Sequence, residues 1–200
     1  MKLPGLAASL AILTFCASSP ALAFKHGPPE RRLRAALLRV QDLPSGWAPL
    51  DVGSFENAET IVYNWCGKKF PQPLRQETAQ FSNNGLIGAV TSVDVMRFGP
   101  GVAKAALDLV ARAPKCEPRK DVIDGEAIQT SRMNIDKLGD QSVALHLQGE
   151  SSGVYEDIVF IRRGDIVSVV AVAGGLFSAP PIAPLARKAD QLLAKHALRA

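Results

Sequence analysis

The run IVSVVAVA at residues 166–173 constrains this chain more than any other stretch. It is apolar or small at every position, so neither of its faces can be left to water. Strand side chains alternate between two faces, and a strand that is apolar on both must be covered from both sides. The chain therefore needs a sheet with a packed layer above and below it, and Gly174-Gly175 ends the run.

The segments before it supply neighbouring strands. Val143, Leu145 and Leu147 alternate with Ala144, His146 and Gln148, the pattern of a half-buried strand. Strands are expected at 126–135, 142–148, 154–162 and 166–173, a four-strand meander. Further upstream, residues 76–82 and 86–98 flank Asn83-Asn84-Gly85, whose residues tolerate positive φ and suit a hairpin turn. Thr91, Val93 and Val95 share the buried face of that second strand.

Three stretches carry helical spacing. Leu33, Leu37 and Val40 form one apolar stripe over residues 30–41, with Arg31, Arg32, Arg34 and Arg39 mostly on other faces. Pro44 and Gly46 stop that helix, and Trp47 can fold back over its end. Residues 102–113 bury Val102, Ala106, Leu109 and Val110, and Lys104 and Asp108 can pair across a turn. Residues 185–198 follow Pro180, Pro181 and Pro184, with a stripe of Leu185, Ala189, Leu192, Leu193 and Ala197. Residues 48–74 show no period and read as a long irregular loop. The element order is α-β-β-α-β-β-β-β-α, an α+β fold with one mostly antiparallel sheet packed by helices.

Residues 1–23 read as a signal peptide. Lys2 precedes a short apolar run, and Ser18 to Ala23 end in the small-x-small pattern cut by signal peptidase, between Ala23 and Phe24. The apolar run is too short to span a bilayer as a helix. Lipidation at Cys16 is disfavoured because bulky Phe15 precedes it. Residues 24–200 are then one extracytoplasmic domain without a transmembrane segment. Removing Lys2 with the leader lowers the formal charge of +4 by one. The arginines cluster in one helix, without the basic stripe and interleaved aromatics of a nucleic-acid reader. Cys66 and Cys116 remain after cleavage, and an even count in an exported chain argues for a disulfide. There is no C-x-x-C, and His26, His146 and His196 lie far apart, so no metal site is expected.

Two short motifs raise catalytic and recognition readings. Gly149-Glu150-Ser151-Ser152-Gly153 fits G-x-S-x-G, but a nucleophile elbow needs a helix after the serine. VYEDIVFIRR follows instead, rich in β-branched and aromatic residues, so Ser151 is expected to cap a hairpin loop. Asp157, Asp165 or Asp190 could precede His196 in the chain order of such a triad. Arg163-Gly164-Asp165 spells a receptor tripeptide but sits where a tight turn is needed. Glu156 and Asp157 are strand neighbours and point to opposite faces, so they cannot form an acid–base couple. His146 is expected to be a hydrogen-bonded sheet histidine. No phosphate-cradling loop is present, and no cofactor is expected.

LLRVQDLPSGW at 37–47, LGDQSVAL at 138–145 and VFIRRGDIVSVVAVAG at 159–174 together resemble secreted actinobacterial sensor-domain proteins. That group is similar to the extracellular domain of PknH-like serine/threonine kinases. The element order also resembles the PsbP/Mog1-like fold of envelope lipoproteins. The first resemblance implies an α/β sandwich with a concave sheet face or cleft that receives a ligand. The kinase domain carries two disulfides, whereas this chain can form only Cys66–Cys116. The expected function is a secreted, non-catalytic binding module for a small molecule, lipid or cell-wall fragment. The rival readings are a hydrolase using Ser151 and a protein-interaction factor presenting residues 48–75 and Trp65.

Overall fold

A computed structural model describes residues 28–54, 64–83, 89–116, 119–120, 127–150, 153–174 and 179–196. The leader with Cys16, Ala23 and Phe24, and also His26 and Ser151, lie outside the described residues. Helix α1 (Pro28–Ala35) precedes β1 (Ala48–Ser54), the short strands β2 (Asn64–Trp65) and β3 (Lys68–Lys69), then β4 (Arg75–Ser82) and β5 (Val90–Arg97). Helix α2 (Val102–Val110) follows, then β6 (Arg119–Lys120), β7 (Ala127–Arg132), β8 (Gln141–Gly149), β9 (Tyr155–Arg163), β10 (Ile166–Gly174) and α3 (Ile182–His196).

Eight strands make one sheet in the order β1-β4-β5-β10-β9-β8-β7-β6, while β2 and β3 form a separate hairpin. Every pairing is antiparallel. The fold is α+β, as the element pattern predicts. Strand β10 lies in the middle, and its residues from Ile166 to Val172 are buried throughout. Val170 and Val172 point into a core with Leu33, Leu185, Ala189 and Leu193 of α1 and α3. Val167, Val169 and Ala171 point the other way, into a core with Ala106, Leu107 and Val110 of α2. Each fully buried valine or leucine contributes about 1.5–3 kcal/mol, so losing either helical layer would expose half of β10.

The differences from the sequence expectation have local causes. Helix α1 ends at Ala35, and a short 3-10 turn at Val40–Asp42 changes the phase, leaving Val40 41% exposed and out of the expected stripe. Asp42 closes that turn by accepting a hydrogen bond from the Arg39 backbone at 2.9 Å. Helix α2 is shorter than expected, and Ala103 and Leu107 rather than Val102 and Leu109 complete its buried side. Helix α3 begins at Ile182, with Pro184 inside its first turn, where a missing N–H costs nothing.

The segment 48–74 is more ordered than its composition suggests. It opens with the edge strand β1 and carries the β2–β3 hairpin, whose tip residues Cys66 and Gly67 have φ of 54° and 70°. Two successive positive φ values match the twist that a tight hairpin needs. The hairpin turns Trp65 inward, edge-on to Phe160 at 6.0 Å, and Phe70 lies 5.9 Å from Phe98. A disulfide between Cys66 and Cys116, with Cα atoms 5.3 Å apart, ties the hairpin tip to the chain just beyond α2. Trp65 is only 2% exposed, so it is a core residue and not the contact surface of the interaction reading. Among the described residues, no helix is long and apolar enough to cross a membrane.

Candidate functional site

The described chain that follows the G-x-S-x-G motif is extended. β9 runs Tyr155–Arg163, and Gly149 N–H closes the preceding loop onto the Val154 carbonyl at 3.1 Å. The acids that a Ser151 triad could use are engaged elsewhere. Asp157 bonds His146, Asp190 bonds Arg163, and Asp165 accepts from the Gly101 backbone at 3.1 Å. The RGD tripeptide is locked in the same way. Gly164 takes φ +57° in the two-residue turn between Arg163 and Ile166, and Arg163 and Asp165 are both turned into the fold.

The strand register gathers a polar site elsewhere. Ser131, His146, Asp157 and Val172 stand opposite one another across β7, β8, β9 and β10. The next row outward holds Gln129, Gln148, Tyr155 and Gly174. One row inward, Ala144, Val159 and Val170 belong to the core under α1 and α3. Helix α3 packs along β9 and β10, and α1 along β4 and β5, so the β7–β8 end of this face lies beyond the main helical cover.

The geometry there is specific. His146 Nδ1 lies 2.6 Å from Asp157 Oδ1, and the two side chains are 36% and 21% exposed. A carboxylate only accepts, so the bond puts the imidazole proton on Nδ1. Among the described residues nothing bonds Nε2. Tyr155 stacks beside His146, with ring centres 5.7 Å apart and planes 28° apart. Its phenol end lies across Gly174, where an added Cβ would come within 2.7 Å of the hydroxyl. Gly174 therefore lets Tyr155 lie down over the sheet. Glu156 points to the face opposite Asp157, as strand alternation requires.

A second polar group sits on the other face. Thr78 donates to Asp94 Oδ1 at 2.5 Å, and Gln76 Nε2 donates to the same oxygen at 2.8 Å. Burial pushes the Asp94 carboxyl above its ordinary value, opposed by these two donors. Among the described residues, no group of three or more His, Cys, Asp or Glu side chains converges on a point where a metal could sit.

His146 was legible as a hydrogen-bonded strand residue, but its partners were not. Ser131, Asp157 and Tyr155 become its neighbours only through strand register, and the sequence signals for that register are weak.

No family model matches the sequence, and no curated protein sequence aligns with it significantly. Among solved structures, the chain is similar to the extracellular domain of PknH from Mycobacterium tuberculosis. The TM-score is 0.55 at 13% identity, over 84% of this chain and 94% of that one. The chain therefore shares the fold of the PknH extracellular domain.

Proposed function

We propose that this chain is an exported, sensor-like module that binds its ligand, without catalysis, on the end of its sheet that α1 and α3 leave largely open among the described residues. The observation that carries the reading is the half-exposed His146–Asp157 pair beside Tyr155, on the one end of that face where helices do not dominate. Polar side chains on a sheet face cost stability unless they are hydrogen-bonded, and the bond between His146 and Asp157 meets that need while leaving both side chains partly open to solvent. Export is supported by the leader at 1–23 and by the Cys66–Cys116 bridge, which suits an oxidising compartment. The likeness to an extracellular kinase domain supports the same placement.

Purified protein incubated with envelope extract should retain a small molecule seen by native mass spectrometry, and His146→Ala should lose it. Equal retention by wild type and His146→Ala would move the site elsewhere. Mature protein from the culture medium should begin at Phe24. A fluorophosphonate probe should leave the protein unlabelled; labelling abolished by Ser151→Ala would replace this reading with a hydrolase.

A further inference from the structure

We infer that the ligand of the two polar rows is a neutral saccharide, its hydroxyls bonded to His146, Asp157 and the two glutamines, one sugar ring resting against Tyr155. This rests on the binding reading above and names the class of molecule bound.

The inference comes from accounting for donors and acceptors. His146 uses Nδ1–H on Asp157, which in the neutral imidazole leaves the lone pair of Nε2 without a partner among the described residues. Asp157 uses Oδ1, which leaves Oδ2. Gln148 commits its Nε2 to the carbonyls of Gly149 and Val154, both at 3.3 Å, which leaves Oε1. Gln129 commits its Nε2 to Glu150 Oε1 at 3.4 Å, again leaving an amide oxygen. Ser131, exposed in the same row as His146, can donate or accept. The acceptors left free in these rows (His146 Nε2, Asp157 Oδ2 and the two glutamine oxygens) thus outnumber the free donors, which are the Ser131 and Tyr155 hydroxyls and one N–H of Gln129.

A matching ligand must be rich in donors. Phosphate and carboxylate groups fail twice, because they are acceptors themselves and neither row contains a lysine or arginine to offset Asp157. Acyl chains fail because Tyr155 is the only sizeable apolar surface in the two rows. Sugar hydroxyls satisfy the acceptors one by one, and the C–H face of a pyranose or furanose suits an aromatic ring lying over the sheet. A polyamine is also rich in donors and would suit the carboxylate, so it serves as the competing probe; the saccharide differs in offering a C–H face to Tyr155.

The test is an NMR titration of the uniformly labelled protein with three probes at millimolar concentration. These are a panel of neutral oligosaccharides built from hexose, pentose and N-acetylhexosamine units, inorganic phosphate, and spermidine. A saccharide should shift the amides of residues 129–131, 146–148 and 155–157, with about tenfold weaker binding in His146→Gln and Asp157→Asn. Gln129→Ala, at an exposed position, should weaken binding severalfold without changing the rest of the spectrum. Shifts of these amides by phosphate or spermidine alone would overturn the saccharide assignment while keeping the site. No response to any oligosaccharide would overturn the assignment as well, and the envelope-extract comparison would then decide separately whether the rows bind anything.

Discussion

Arg163 holds Asp190 by two parallel hydrogen bonds, Nε to Oδ1 at 2.7 Å and Nη2 to Oδ2 at 2.8 Å. The pair joins the β9–β10 hairpin to the middle of α3, and Asp190 raises the Arg163 pKa chiefly through these bonds. The side chains are 26% and 13% exposed, so solvent screens the pair only partly. Asp190→Ala and Arg163→Lys should each cost about 2 kcal/mol, because a lysine cannot reproduce the forked geometry. Urea unfolding measures this, and a cost near zero for both would mean that apolar packing alone seats α3.

Gly139 should tolerate no side chain. It has φ +56°, and an added Cβ would collide with the Arg162 carbonyl oxygen of the neighbouring strand. Both the backbone conformation and the space are wrong for alanine. Gly139→Ala should therefore destabilise the protein by about 3 kcal/mol or more, visible as a lowered urea midpoint. An unchanged midpoint would show that the loop before β8 relaxes away from β9.

Removing the disulfide should weaken the fold without abolishing the sheet. Cys66 and Cys116 are 50 residues apart, and closing a loop of that size restrains the unfolded chain by about 4 kcal/mol. A Cys66→Ser, Cys116→Ser double variant should lose about 2–5 kcal/mol, and dithiothreitol should reproduce the loss in wild type. Trp65 fluorescence reports whether the β2–β3 hairpin leaves Phe160.

Asp94 makes the molecule less stable as the medium becomes less acidic. Its carboxyl is raised above the ordinary value of 3.8 by burial, so the folded protein keeps a proton that the unfolded chain has already released. Between those two values stability falls with rising pH, and above the raised value the whole cost is present. Asp94→Asn keeps an oxygen for Thr78 and Gln76 but carries no charge. Its melting temperature should exceed that of wild type by about 2–4 °C at neutral pH, with the gap closing near pH 4. A variant less stable than wild type at neutral pH would show that Thr78 and Gln76 more than offset the burial.

What could be read in advance followed the strength of the periodic signal. IVSVVAVA announced a central strand, and β10 is buried on both faces between β5 and β9. The strand after Ser151 was legible because VYEDIVFIRR has no helical stripe. The edge strand β1 and the β2–β3 hairpin were hidden, since their residues alternate poorly and owe their conformation to pairing with β4 and to the Cys66 bridge. Val40 was misplaced because helical spacing alone does not reveal where α1 stops. The candidate site was the least legible part. His146 finds Asp157 eleven residues away and Ser131 on a third strand, and only the assembled register puts the three side by side.

The seam between β5 and β10, where Arg97 meets Ile166 and Val90 meets Ala173, also governs the order of assembly. The strands β1, β4 and β5 are made early, yet the central partner that shields β5 is the last strand in the chain. A polypeptide threading through an export channel from its N-terminus would emerge with β5 bare along one side until nearly all of it had passed. Helix α3, which seals that partner, comes later still. For an exported chain the sheet could therefore close only after β10 has emerged, and the stretch from β5 to β10 is where a holding chaperone would have most to protect.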